Sequence, residues 1–159
     1  MKKLHALWIV FLSVAFLLAG CSSDPVEEDV NNYLKNELPK MSTLEQDILT
    51  QFAAISGNRQ LDAEALHKEL NDKVLSKYET FVQELEKIKP ATEEVQQAHE
   101  KHVTAALAQL EAFKTVVSAI KNKDQAELTA AREKLEAAKK LGDESKEAIK
   151  QLAIGYGVQ

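Results

Sequence analysis

The chain has 159 residues, 25 acidic against 20 basic, and a net charge of −5. An acidic chain with no clustered basic face is not built to hold nucleic acid, and its single cysteine cannot close a disulfide within the chain. Glycine and proline are scarce, five and three. Ala, Leu, Glu, Lys and Gln dominate, which is the composition of long helices and not of sheets.

In chain order, the first element is a leader. Met1-Lys2-Lys3 is cationic, residues 4–18 (LHALWIVFLSVAFLL) are apolar apart from His5 and Ser13, and the small pair Ala19-Gly20 precedes Cys21. A charged start, an apolar core and a small-residue cleavage site describe a secretory signal peptide. From Leu4 to Gly20 the run is 17 residues, at the bottom of the range of about 17–25 for a spanning helix. Leu18-Ala19-Gly20-Cys21 resembles the lipobox of bacterial lipoproteins. The resemblance implies cleavage between Gly20 and Cys21 and a diacylglyceryl group on the Cys21 sulfur. It also implies a place on the outer face of the cytoplasmic membrane, which is the periplasmic side where the host has two membranes. Two acyl chains suffice for stable anchoring, since each buried methylene contributes about 0.8 kcal/mol. Without the leader the chain keeps 18 basic residues against 25 acidic ones, and SSDPVEEDV follows Cys21 directly. Anionic headgroups repel such a segment, so the lipid has to do the anchoring. The expected organisation is therefore a signal peptide at 1–20, the lipidated cysteine and a short tether at 21–24, and one domain at 25–159.

That domain has breaks at SGNRQLD (56–62), KPAT (89–92) and KNKD (121–124). They predict four helices at about 25–55, 63–88, 92–121 and 125–152. The first opens on Asp24-Pro25, an N-cap followed by proline at the first helical position, with Glu27, Glu28 and Asp29 on the positive end of its dipole. Its apolar positions run past Pro39 without changing phase, which favours one kinked helix. Ser42 with Glu45 has the form of a capping box for a fresh start. The second carries Leu66, Leu70, Val74, Tyr78, Phe81 and Leu85, and the third carries Val95, His99, His102, Ala106, Leu110, Phe113 and Val117. The fourth has a heptad stripe, Leu128, Ala131, Leu135, Ala138, Gly142, Ser145, Ile149 and Leu152. Striped helices of similar length with short connections predict an all-α fold, an antiparallel up-down-up-down four-helix bundle.

Counting residues along such a bundle brings His99 and His102 to the height of Tyr33, Tyr78, Gly142 and Ser145, with no carboxylate in the layer. These four side chains, Tyr33, Tyr78, His99 and His102, are the candidate ligand site, because histidines three apart share a helical face and neutral imidazole is the commonest metal ligand. The competing reading is a polar core layer whose imidazoles and phenols satisfy one another. A di-iron site needs two Glu-x-x-His motifs, and only Glu64-Ala65-Leu66-His67 fits. HEKH at 99–102 has its second histidine one residue early for a zinc peptidase helix, and there is no Cys-x-x-Cys-His run. No serine has a plausible base and orienter nearby in the helix register. Arg132, Lys139, Lys146 and Lys150 make a basic row that reads as a solvated face paired with Glu133, Glu136 and Glu147. No metal and no cofactor beyond the covalent lipid is expected, and no catalytic residue.

Residues 24–157 resemble the small, all-helical, uncharacterised lipoproteins of Gram-positive bacilli. Taken together, the expectation is a non-enzymatic, membrane-anchored lipoprotein that contacts an envelope protein or wall component. The alternative is a small-ligand or metal binding module built on the His/Tyr layer.

Overall fold

The computed structural model of the chain describes residues 24–158. The leader, and with it the cleavage and lipidation positions at Gly20 and Cys21, lies outside the described residues. Four helices account for almost all of the rest: α1 (25–56), α2 (63–87), α3 (Glu93–Asn122) and α4 (Gln125–Gly155). No strand occurs among the described residues. The helix ends fall within three residues of those expected from the breaks.

Their starts follow from capping chemistry. The Asp24 carboxylate accepts from the Val26 N–H at 3.0 Å ahead of Pro25. Asp62 accepts from Ala65 N–H at 2.8 Å, and Asp124 from the N–H groups of Ala126 and Glu127. Each satisfies donors that a helix start leaves orphaned. Thr92 caps α3 by position but makes no side-chain bond to it. Its N–H and Oγ1, with the N–H of Ala91, all donate to Asp29 Oδ2 of α1 at 2.7–2.9 Å. Asp29 thus ties α1 to the beginning of α3, in addition to standing near its own helix start. Lys123 ends α3 in a left-handed conformation, φ 54°, and this allows the short turn into α4.

Pro39 does not interrupt α1. The helix runs as α-helix Pro25–Asn32, a π-helical turn Tyr33–Glu37 and α-helix Leu38–Ser56. The Leu38 N–H reaches back to the Tyr33 carbonyl. The wider turn sits immediately before the proline, where the missing N–H interrupts the ladder in any case. The Ser42/Glu45 capping box does not form, because the helix has no second start there. A second π-helical turn, Asn71–Leu75, interrupts α2, and Ser76 gives both its N–H and its Oγ to the Asn71 carbonyl. Both turns coincide with runs of four-residue apolar steps, Val26-Val30-Leu34-Leu38 and Leu66-Leu70-Val74-Tyr78. Each such step overshoots an α-turn by about 0.4 residue, and one extra residue in a turn restores the phase.

The main core is made chiefly by α1, α2 and α3, with Ala131 and Leu135 of α4 at its side; Ile48, Leu70, Val74, Tyr78, Phe81, Leu85 and Phe113 are its largest buried members. Phe113 packs against Phe52 and Tyr78, with ring centroids 4.7 and 5.1 Å apart. A second, smaller cluster closes one end, where Val30, Tyr33 and Val95 are packed with Leu152 of α4 and with Tyr156 and Val158 just past its end. Among the described residues, the members of the two clusters run from Val26 to Val158. The best window of α3 has a mean hydropathy of 1.3, enough by composition to cross a membrane, but Ala106, Phe113, Val116 and Val117 on it fill the main core.

Helix α4 is held differently. It pairs most extensively with α3, yet only Ala131, Ala138 and Ser145 on it are buried. These are seven residues apart, and α3 has a matching row of buried alanines at 98, 105, 112 and 119. Small residues at heptad spacing on both partners bring two helix backbones close together.

Candidate functional site

The expected layer divides into two neighbouring groups. In the first, Tyr33 Oη lies 3.3 Å from His99 Nδ1, and the two rings meet edge to face at 5.6 Å. Both side chains are buried. Burial holds the Tyr33 phenol well above its ordinary range. Burial also lowers the His99 pKa, helped by the charges of His102 and Lys89 and opposed by a hydrogen bond to the Leu85 backbone. His99 is therefore a neutral imidazole near pH 7.

In the second group Tyr78 Oη donates to Glu45 Oε1 at 2.8 Å, while His102 Nε2 stands 3.6 Å from Glu45 Oε2. Burial pushes the Glu45 carboxyl up. The hydrogen bonds from His102 and Tyr78 and the charges of His102 and Lys146 outweigh it, so the group is held below the usual carboxylate range. Tyr78 is in turn driven up by burial and by the Glu45 charge. The layer thus contains a carboxylate, which the residue count along the helices left out. Glu45 occupies the step after Leu38 and Met41 and before Ile48 and Phe52, an inward position with heptad spacing. Reading it as a cap for a helix beginning at Ser42 concealed that.

The four expected residues come into one region, but not as one ligand set. Among the described residues no three of His, Cys, Asp or Glu gather in a geometry that would hold a metal ion. Among the described residues two buried side-chain polar atoms have no hydrogen-bond partner, His102 Nδ1 and Ser145 Oγ. The serine and the imidazole therefore make no hydrogen bond to each other, and a nucleophile–base pair is not assembled.

Beside this region a long groove separates α1 from α4, with a cavity of about 620 Å³. Leu38, Leu49 and Phe52 line it from α1, and Leu135 and Ile149 from α4. His102 and Ala105 of α3 form part of its floor, next to Gly142 and Ser145. The small fourth-helix residues expected opposite the histidines accordingly do two things. They let α4 approach α3, and they leave open space towards α1. Of the basic row, Lys139, Lys146 and Lys150 border the groove. Lys146 and Lys150 are paired with Asp143 and Glu147 at 4.0 and 3.7 Å. The other lining charges are Glu45, Glu136 and Asp143.

The chain matches no protein-family model, no curated protein and no solved structure. Its residues and geometry are therefore the whole basis for a functional reading.

Proposed function

We propose that the chain is a bacterial lipoprotein, cleaved after Gly20 and anchored through a diacylglyceryl group on Cys21, with its helical domain displayed on the outer face of the cytoplasmic membrane. Leu18-Ala19-Gly20-Cys21, placed at the end of a short apolar run, carries this reading. Helix α1 begins at Pro25, four residues past the cysteine, which leaves only a short acidic tether between lipid and domain. The domain is an up-down-up-down bundle. In support, Lys134 of α4 reaches Glu111 and Thr115 of α3, while Glu94 and Gln151, near opposite ends of the chain's last two helices, line a common cleft.

The domain works without catalysis, as a binding or interaction module of the envelope. The observation favouring this class is the open α1/α4 groove, a concave surface whose apolar walls are bordered by charged and polar side chains. A second reading, a small ligand or metal in the His/Tyr layer, draws support from the unpartnered Nδ1 of buried His102.

Membrane fractionation with mass spectrometry tests the anchor. Wild type is expected in the membrane fraction with the mass of a lipidated chain lacking residues 1–20. Cys21→Ala is expected to lose the lipid mass; an unchanged mass and location in that variant would refute the anchor. Thermal melts of residues 22–159 with and without Zn²⁺, Cu²⁺, Fe²⁺ or haem separate the two module readings. A ligand that binds only the folded state at one hundred times its Kd adds about 2.7 kcal/mol. A rise that disappears in the His99→Ala/His102→Ala double variant selects the metal reading.

A further inference from the structure

We propose that the groove between α1 and α4 is a binding site for a single-chain aliphatic amphiphile with an uncharged, hydroxyl-bearing head. The inference deepens the reading of the domain as a binding module and rests on it, but it does not depend on the lipid anchor.

The space fits such a guest. A cavity of about 620 Å³ lies within the range of roughly 300–1,000 Å³ typical of small-molecule sites. From Leu38 to Phe52 its α1 wall extends about 21 Å at 1.5 Å per residue, so the groove is long for its volume. Its apolar walls suit a chain lying along the helices.

Gly142 supplies the second observation. A glycine inside a helix weakens it, and here neither backbone nor packing calls for one. Its φ is not positive, and a Cβ built on it would meet no atom within 4 Å. What the missing side chain leaves is volume in the groove, one turn from Ser145.

Polar atoms supply the third. Ser145 is 2 % exposed and His102 7 %, and Ser145 Oγ and His102 Nδ1 have no hydrogen-bond partner. A buried polar group without a partner is destabilising, and both residues line the groove. His102 Nε2 stands towards the Glu45 carboxylate at 3.6 Å, which leaves Nδ1 as the ring nitrogen without a partner. Ser145 offers a hydroxyl that turns on a single bond. A hydroxyl head both donates and accepts, so it can hydrogen-bond to either group. The lining charges are Lys139, Lys146 and Lys150 against Glu45, Glu136 and Asp143, so they sum to zero and favour neither charged head. Selection then falls to the chain.

The test is calorimetric titration of residues 22–159 with monohexanoyl, monooctanoyl and monodecanoyl glycerol below their aggregation concentrations. Each added methylene is expected to tighten binding about fourfold until the groove is filled. Gly142→Leu fills the groove with a better helix former; it is expected to weaken binding at least about tenfold while its melting temperature stays the same or rises. Ser145→Ala is expected to weaken binding about fivefold with the chain-length slope unchanged. A flat chain-length series overturns the proposal. So does undiminished binding in Gly142→Leu, or tighter binding of decanoate or decyltrimethylammonium than of the glycerol ester. Absence of binding to a wild-type domain with a native circular dichroism melt also overturns it, and leaves the anchor to be decided by fractionation alone.

Discussion

Helices α3 and α4 are nearly equal in length, 30 and 31 residues, and are attached to the molecule in opposite ways. Eleven side chains of α3 are buried, among them Phe113, Val95, Val116 and Val117, whereas α4 buries three, and all three are small. Helix α3 belongs to a core in which large side chains interdigitate with those of α1 and α2. Helix α4 is held by close approach along a row of small residues; of its larger apolar side chains, Leu135 touches the main core and also lines the groove, and Ile149 lines the groove. The difference shows how one bundle can combine a filled core with an open surface. Small-residue packing spends few apolar side chains, so others remain to line a site.

Substitutions on the two sides should break the comparison unequally. The largest effect is expected from Phe113→Ala, which empties a site between Phe52 and Tyr78 and should lower stability in urea unfolding by about 3–5 kcal/mol. Next comes Ala138→Leu, which forces a branched side chain into the α3/α4 seam. A loss of about 1–3 kcal/mol is expected from overpacking, and a neutral result would show that the seam is not close-packed.

A smaller effect separates the two polar groups by pH. The His99 pKa is lowered in the fold, chiefly by burial, from an ordinary 6.5. The unfolded chain therefore takes up the proton more readily, so stability is complete above about pH 6.5 and falls as pH drops through that value towards the folded pKa. Glu45 acts lower. Its folded pKa is depressed below 4.5, so its contribution is present above that pH and is lost as pH falls through the folded value. Urea midpoints measured across pH should show both limbs, and His99→Asn should remove the upper one only. The smallest change is a gain: Gly142→Ala, with open space around its new methyl, should add about 0.5–1 kcal/mol. A loss there would mean that α4 lies closer to α1 than the groove allows.

Much of this was legible beforehand. Asp24-Pro25, Asp62 and Asp124 each announce a helix start through local hydrogen bonds, and local chemistry can be read locally. The meeting of Tyr33 with His99 followed from counting residues at 1.5 Å each along neighbouring helices. Glu45 was missed because a carboxylate three residues after a serine resembles a cap; its inward turn depends on Tyr78 and His102, which belong to other helices. The buried row at Ala98, Ala105, Ala112 and Ala119 was overlooked in favour of the bulkier stripe beside it. Alanine is frequent on every face of a helix, and only burial distinguishes these four. The four-residue apolar steps before both π-helical turns were a usable signal that went unread.

By itself the sequence determined the all-helical class, the number of helices and their ends, and the phase of each inward stripe, because capping, propensity and apolar period act within a single helix. Only the tertiary structure decided which stripe packs closely and which stays apart. The distance between two helices depends on the summed bulk of the side chains facing each other from both, and no single helix contains that sum. The alanine rows of α3 and α4 draw those two together, and this leaves α1 and α4 on either side of a groove.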